Sequence, residues 1–138
     1  MSKAPTILIL EDETTLLECT KLLLKDLPYK IASAPNGKEA LQYLRNNPET
    51  VSLILTDINM PSMDGLEFLS VIKLDPILKK IPVILQSAAT NEEIQRGLDM
   101  GADLYLVKPY TRVDLFTAII KVLVKQLQQR DLVIEILS

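Results

Sequence analysis

Five short hydrophobic runs alternate along the chain with longer segments in which hydrophobic residues repeat at helical spacing. The runs predict β-strands at residues 7–10, 30–34, 51–56, 82–86 and 104–107. The first, third and fourth runs are almost entirely apolar, which is typical of strands covered on both faces. The segments that follow the strands predict helices at residues 15–27, 37–46, 65–74, 92–100 and 111–130.

The ends of these helices carry their own signals. A threonine followed three residues later by an acid predicts a capping box, and the pairs are Thr15 with Glu18, Thr90 with Glu93 and, in a weaker version, Thr111 with Asp114. Helices are expected to stop before Pro28, Pro48 and Pro76. Gly101 stands where a left-handed residue would end the fourth helix.

Five consecutive βα units predict an α/β fold with a parallel, doubly wound sheet. Ligands of such sheets bind outside the carboxyl ends of the strands. Polar residues stand at four of these ends, namely Glu11, Asp12, Glu13, Asp57, Ser87 and Lys108. We therefore expect these side chains to meet at one edge of the sheet.

The composition fits one domain and narrows the range of partners. The chain has 138 residues, 48% hydrophobic and 24% charged, which predicts a soluble globular domain. With a net charge of −3 it has no basic patch to neutralise phosphates, so direct nucleic-acid binding is not expected. No apolar run reaches the ~18 residues that span a bilayer. The first residues lack the apolar region of a signal peptide, so no membrane contact is expected.

The numbers of cysteines and histidines limit the location expected for the protein and the chemistry that it can perform. The single cysteine, Cys19, cannot form an internal disulfide, which predicts a cytoplasmic location. The chain contains no histidine, which excludes Ser-His-Asp catalysis and histidine-based zinc sites. The acids at the strand ends are therefore the main candidates for chemistry.

Asp57 is the predicted nucleophile, because a carboxylate can accept a phosphoryl group to give an acyl phosphate. Acids packed beside it would repel its charge unless a cation lies between them. Mg²⁺ or Mn²⁺ suits such a site, since Mg²⁺ binds one or two carboxylates together with a phosphate oxygen. The predicted ligands are Asp12, Asp57 and the backbone carbonyl of Asn59, with Glu11 acting through water. Glu13 is interpreted as a solvated acid at a helix N-terminus.

Two further residues could bind the phosphoryl group. The hydroxyl of Ser87 can donate to a phosphoryl oxygen, although a strand-end turn residue is an equally good interpretation. The ammonium group of Lys108 can pair with Asp57 and then with the phosphate. Pro109 supports this role, because an X-Pro bond can be cis and can aim the side chain that precedes it.

In this order and spacing, the residues resemble the receiver domain of bacterial two-component response regulators over residues 6–128. The shared motifs are the acidic pair after the first strand, Asp-x-x-Met-Pro-x-x-x-Gly from Asp57 to Gly65, Ser87-Ala88 and Lys108-Pro109. The resemblance implies a flavodoxin-like receiver fold, with a five-stranded parallel sheet in the order 2-1-3-4-5. It also implies a phosphoprotein that works in a phosphorelay.

The resemblance implies the roles of the site residues. Asp57 would receive its phosphoryl group from a sensor histidine kinase or a histidine phosphotransfer protein. Lys108 and Ser87 would bind the phosphoryl oxygens, while Glu11 and Asp12 would hold Mg²⁺. The domain would catalyse only its own phosphotransfer and dephosphorylation.

The resemblance also implies a switch. Tyr105 would rotate inward when Ser87 moves toward the phosphate, and the peptide bond between Lys108 and Pro109 would be cis. The family more often has threonine in place of Ser87, which implies looser packing here. Asn59 and Ala89 stand at positions that set the lifetime of the phosphoryl group.

The switch would act through charge. Phosphorylation adds about −1.5 to −2 charges at one strand end. The helix at 92–100 would then repack, and a downstream protein target would bind that helix, the fifth strand and the last helix.

The last helix has more apolar surface than one face requires. Its apolar residues from 113 to 127 span roughly 200° of arc, where a surface helix needs about 100°. A 4-3 spacing continues through Phe116, Ile120, Leu123, Leu127, Arg130, Ile134 and Leu137. This pattern predicts a partner contact or a homodimer through the last helix, and the alternative is a helix that frays after residue 128.

Residues 1–129 are therefore predicted to form a receiver domain, and residues 130–138 a C-terminal helical extension or linker. A receiver fragment of a larger response regulator or hybrid kinase is the alternative. An aspartyl-phosphate phosphatase is disfavoured, because such enzymes need a second Asp at the position of Asn59. A receiver-like domain that binds partners without phosphorylation is disfavoured by the full set of acids and lysine.

Overall fold

The structure, a computed structural model, describes residues 5–88 and 90–137, with the side chains from residue 130 onward left out of the description. Ala89 and residue 138 lie outside the described residues. The strands are β1 (Thr6–Leu10), β2 (Lys30–Ala34), β3 (Val51–Asp57), β4 (Val83–Ser87) and β5 (Leu104–Val107). The helices are α1 (Thr14–Leu24), α2 (Gly37–Asn46), α3 (Gly65–Leu74), α4 (Asn91–Asp99) and α5 (Arg112–Leu137).

The five strands form one parallel sheet in the order β2-β1-β3-β4-β5. One apolar cluster packs residues of α1 and α5 against one face of the sheet, and a second packs α2 and α3 against the other. The predicted α/β doubly wound fold and its strand order are therefore confirmed.

Side chains alternate between these two layers, as strand geometry requires. Ile7, Ile9 and Ile84 join the cluster with α1 and α5, while Leu8 and Leu85 join the cluster with α2 and α3. Every residue of β1 and β4 is buried. This explains why the runs that form β1, β3 and β4 are apolar without alternation.

Of the three predicted capping boxes, the one at Thr111 has both bonds and the one at Thr90 has one. The Thr90 hydroxyl accepts from the Glu93 amide at 3.3 Å. Thr111 and Asp114 cap each other reciprocally, with N–H to side-chain oxygen distances of 3.0 and 3.1 Å. Gly101 has a φ of +112°, the left-handed conformation expected where α4 ends.

The capping box predicted at Thr15 is wrong. The helix begins one residue earlier, and the residue before it, Glu13, is extended and makes no side-chain cap. α1 also ends at Leu24 and not at residue 27, because Pro28 disfavours helical geometry in the residue that precedes it. A short 3-10 turn, Leu78–Lys80, was not predicted.

The last helix continues to Leu137, beyond the predicted end at residue 130. Leu115, Ile119 and Val122 are buried against the sheet. Its other apolar face, formed by Val113, Ile120, Val124 and Leu127, is exposed. We call these four residues the exposed α5 face. The heptad positions Arg130, Ile134 and Leu137 have side chains outside the described residues, so the partner contact predicted for them and the separate role of residues 130–138 stay predictions.

No helix within residues 5–88 and 90–137 is long and apolar enough to cross a membrane.

Candidate functional site

The carboxyl ends of β1, β3, β4 and β5 bring polar side chains to one edge of the sheet. Glu11 and Asp57 are 3% and 8% exposed, and Ser87 is buried as well. Asp12 is exposed beside them. Each follows or ends an apolar strand, so burial of the strands fixes where these side chains emerge. These residues lie together at one edge of the sheet, as the sequence predicts.

Lys108 is the centre of the charge arrangement. Its Nζ lies 2.9 Å from Asp57 Oδ2 and 2.9 Å from Glu11 Oε1. Burial alone would lower the pKa of Lys108, but the hydrogen bonds to Asp57 and Glu11 outweigh it and raise that pKa above its ordinary value. Lys108 is therefore an ammonium ion at neutral pH. The Asp57 pairing was predicted, and the Glu11 pairing was missed.

Burial raises the pKa of Glu11 above its ordinary value, against the opposing effect of Lys108. Its second oxygen accepts from the Glu13 amide at 3.4 Å. Glu11 is therefore held by protein donors on both oxygens. The sequence predicted that Glu11 acts through water, and its direct bond to Lys108 is a further role that spacing could not reveal.

Glu11, Asp12 and Asp57 form a group that could hold a metal ion. One carboxylate oxygen from each residue lies within 4.8 Å of the others. Three carboxylates are an oxygen-only donor set, which is what a hard divalent cation such as Mg²⁺ prefers. Among the described residues, Lys108 is the one ammonium paired with this group, so a dication would improve its charge balance.

The loop after β3 is fixed by a close backbone approach. The Gly65 amide donates to the Ile58 carbonyl at 2.8 Å. A Cβ on Gly65 would lie 2.2 Å from the backbone oxygen of Asp57, which no side chain tolerates. The Asp64 carboxylate accepts from the Glu67 amide at 2.9 Å and starts α3 directly behind Asp57. Gly65 therefore lets this helix begin against the strand that ends in Asp57.

Asn59 connects two of the predicted residues. Its backbone amide donates to Asp57 Oδ1 at 3.3 Å, and its side-chain amide donates to the Ser87 hydroxyl at 3.4 Å. The Ser87 carbonyl accepts from the Lys108 amide at 3.1 Å. Asp57, Asn59, Ser87 and Lys108 thus form one connected network.

The remaining predicted positions lie along β5 and its loop. The Lys108–Pro109 peptide bond is cis. Tyr105 is 45% exposed. The structure therefore brings Glu11, Asp12, Asp57 and Lys108 together with Asn59 and Ser87, and leaves the Tyr105 side chain exposed on β5. Ala89, predicted to influence phosphoryl lifetime, lies outside the described residues.

Gln86 and Tyr110 were missed by the sequence reasoning. The Tyr110 hydroxyl donates to Gln86 Oε1. The signal in the sequence was a glutamine within an apolar run. In the structure Gln86 is 1% exposed and lies beside Asp57 in the sheet register.

An α/β domain with a buried aspartate, two further acids and a lysine at one edge of its sheet defines a class of signalling domain. The model of the response regulator receiver domain matches residues 7–120. The chain belongs to the response regulator receiver domain family.

Individual relatives agree with this assignment. Over 108 residues the chain is 40% identical to the gliding motility regulatory protein of Myxococcus xanthus, covering 78% of this chain and 14% of that protein. It is 34% identical to the two-component response regulator ORR5 of Oryza sativa subsp. japonica, covering 81% of this chain and 84% of that protein. The chain spans between 14% and 45% of the length of three curated relatives that it matches.

A solved structure of a phosphorylated response regulator has the same fold. The phosphorylated cyanobacterial phytochrome response regulator RcpA is 32% identical to the chain, with a TM-score of 0.73 over 85% of this chain and 89% of that one. Receiver domains are signalling domains of phosphorelays that interact with histidine kinases and downstream effectors. The chain is therefore a signalling domain of this family.

Proposed function

We propose that this chain accepts a phosphoryl group from a histidine kinase or a histidine phosphotransfer protein on Asp57 and signals through a protein surface. The observation that carries the proposal is Lys108 Nζ at 2.9 Å from both Asp57 and Glu11. This pairing keeps a cation beside a buried carboxylate, where it can stabilise both the ionised acid and an incoming phosphoryl oxygen. The phosphorylated state of the similar regulator RcpA supports the same chemistry.

The proposed reaction is a direct displacement at phosphorus. An oxygen of the Asp57 carboxylate attacks the phosphorus of the phosphohistidine, and the P–N bond breaks. The electron pair of that bond returns to the imidazole, which takes up a proton from water. An acyl phosphate remains on Asp57. The signal ends when water attacks the phosphorus of the acyl phosphate. The bond between phosphorus and the carboxylate oxygen breaks, inorganic phosphate leaves, and the Asp57 carboxylate is restored.

Glu11, Asp12 and Asp57 would hold Mg²⁺ or Mn²⁺, together with the backbone carbonyl of Asn59. When bound, the ion would neutralise charge on the phosphoryl oxygens. Lys108 would remain beside the phosphoryl group as a second positive charge. The Ser87 hydroxyl, which accepts from Asn59 at 3.4 Å, would turn to donate to a phosphoryl oxygen.

The proposed output is a surface change on the α4–β5–α5 side. Tyr105 would turn inward as Ser87 moves, and α4 would repack. A downstream target or a second copy of the chain would then bind, and the exposed α5 face is the proposed dimer contact. We also propose a cytoplasmic location, on the ground of the lone cysteine alone.

An aspartyl-phosphate phosphatase is the competing function. Such an enzyme needs a second aspartate as acid and base two residues after the nucleophile, and Asn59 stands there. Asn59 already bonds both Asp57 and Ser87, which accounts for its presence without turnover chemistry.

Labelling by acetyl phosphate with Mg²⁺ tests the proposal, with intact mass as the readout. The wild-type chain is expected to gain one phosphoryl group, whereas Asp57→Asn gains none. Asp99→Asn, at an exposed residue in the last turn of α4, serves as the matched control and should label normally. Equal labelling of Asp57→Asn and wild type would overturn the proposal.

A further inference from the structure

We infer that Tyr110 is a positioning residue for Lys108, and that it acts by anchoring the loop after β5 to the side chain of Gln86. The inference rests on the proposed function, since it assigns a role within the same site. It depends on an independent observation, which is a hydrogen bond between the buried Gln86 and the half-buried Tyr110 that the phosphoryl chemistry does not use.

The hydrogen bond between Tyr110 and Gln86 closes a short ring of contacts. Gln86 precedes Ser87 in β4, and the Ser87 carbonyl accepts from the Lys108 amide at 3.1 Å. Two residues after Lys108, the Tyr110 hydroxyl donates to Gln86 Oε1. The segment from Lys108 to Tyr110 is thus bonded to β4 at both of its ends.

Burial of the Gln86 side chain at this position is unfavourable for the stability of the fold. It is 1% exposed and lies two residues after Ile84, so its side chain points to the apolar layer beneath α1 and α5. Its Nε2 has no hydrogen-bond partner in the described part of the chain. A half-satisfied buried amide costs stability that an apolar residue of similar size would avoid. Packing alone therefore does not explain Gln86.

Tyr110 supplies a donor that stays protonated. Burial raises the pKa of Tyr110 above its ordinary value, against a smaller opposing effect of the Thr20 hydroxyl on α1. Thr20 is itself tied to α1, because its hydroxyl donates to the Leu16 carbonyl at 3.1 Å. The anchor therefore links the Lys108 loop to β4 on one side and faces α1 on the other.

The position of Lys108 is where this anchoring has its effect. Its ammonium bonds both Asp57 and Glu11, and Lys108 is the first residue of a loop that has no other side-chain bond to β4 among the described residues. If the loop relaxes, the ammonium loses its alignment with the acceptor oxygen. A misplacement of about 1 Å in a group that must be aligned for reaction can slow the reaction by as much as about 100-fold.

Tyr110→Phe tests the inference, because it removes only the hydroxyl. The initial rate of labelling by acetyl phosphate with Mg²⁺ is expected to fall about three- to tenfold. Tyr43→Phe removes a hydroxyl from a half-buried tyrosine on α2 and should leave the rate unchanged. In a Lys108→Ala background, Tyr110→Phe should have no further effect, because it acts through Lys108.

A second variant separates positioning from folding. Gln86→Leu combined with Tyr110→Phe replaces both polar partners with apolar groups, so the melting temperature should equal or exceed that of Tyr110→Phe. Labelling should nevertheless stay slow. Recovery of wild-type labelling in this double variant would show a purely structural role and overturn the inference, as would normal labelling of Tyr110→Phe. A wild-type chain that takes no label would instead overturn the proposed function.

Discussion

The site edge of the sheet and the exposed α5 face are opposite kinds of surface. At the site edge, Glu11, Asp57 and Lys108 are buried or half-buried and each charged group has a partner within 3 Å. On the exposed α5 face, Val113 and Ile120 are 72% and 59% exposed and have nothing packed over them in the described part of the chain. The three charged groups of the first region are paired within one chain, whereas the apolar residues of the second remain exposed in the described part of the chain.

This difference explains what each region can do. Paired charges hold a fixed geometry, which the proposed chemistry at Asp57 would require. The exposed α5 face makes no such fixed contacts among the described residues, so under the proposed function it is available for a binding partner. Changes at the site edge should therefore alter stability and labelling, and changes on the exposed α5 face should alter association alone.

The largest expected effect is at Gly65. Gly65→Ala places a Cβ 2.2 Å from the Asp57 backbone oxygen, so the loop after β3 must move. We expect a loss of about 3 kcal/mol in the free energy of unfolding, measured by urea denaturation, together with slower labelling. Gly37→Ala is the control, because its Cβ meets only the flexible Met63 side chain, and it should stay within about 1 kcal/mol of wild type. Equal losses at both glycines would contradict the fixed geometry of the site edge.

A smaller effect is expected at Lys108. Lys108→Ala leaves Asp57 and Glu11 facing each other without their shared cation, which should cost about 2 kcal/mol at neutral pH. Slow labelling by acetyl phosphate should persist, while the conformational response to beryllofluoride with Mg²⁺ weakens. An unchanged response would argue against Lys108 as part of the switch.

The same variant has a pH signature. Because the pKa of Lys108 is raised in the folded chain, its stabilisation is complete below the ordinary value of 10.5 and is lost as pH rises through the folded-state value. The stability gap between wild type and Lys108→Ala should therefore hold at pH 9 and narrow above 10.5. A gap that persists undiminished in strong alkali would contradict the ion pairing.

The smallest effect on folding is expected on the exposed α5 face. Ile120→Ala should change the free energy of unfolding by less than about 0.5 kcal/mol, whereas Ile119→Ala, at the buried neighbour, should cost about 3 kcal/mol. Light scattering with Mg²⁺ and beryllofluoride should show a dimer for wild type and a monomer for Ile120→Ala. A dimer that survives Ile120→Ala would place the contact elsewhere.

The sequence predicted the fold and the members of the site for a common reason. Burial of nearly the whole of β3 leaves a continuous apolar run that ends in Asp57 at the sheet edge, and Lys108 follows the apolar but only partly buried β5 at the same edge. Some observed strand ends differ from the predicted ends by one residue, because a single residue type can change the hydrogen bonding there. β4 begins at Val83 because Pro82 has no amide to give to the ladder.

Contacts that depend on side-chain reach could not be predicted. Lys108 lies 97 positions from Glu11 in sequence, and no spacing rule selects it as that acid's partner. The contact between Gln86 and Tyr110 was unpredictable for the same reason, because it joins two elements that become neighbours only once the sheet forms. The residue types were visible in the sequence, but their pairing requires the assembled sheet.

The most direct test of the central claim is the chemical location of the label. Wild-type chain labelled by acetyl phosphate with Mg²⁺ is reduced with borohydride, which converts an aspartyl phosphate to homoserine, and its peptides are mapped by mass spectrometry. The proposed function predicts homoserine at position 57 and unmodified acids at positions 11 and 12. Reduction product at Glu11 or Asp12, with Asp57 unmodified, would contradict the assignment of Asp57 as the phosphoryl acceptor.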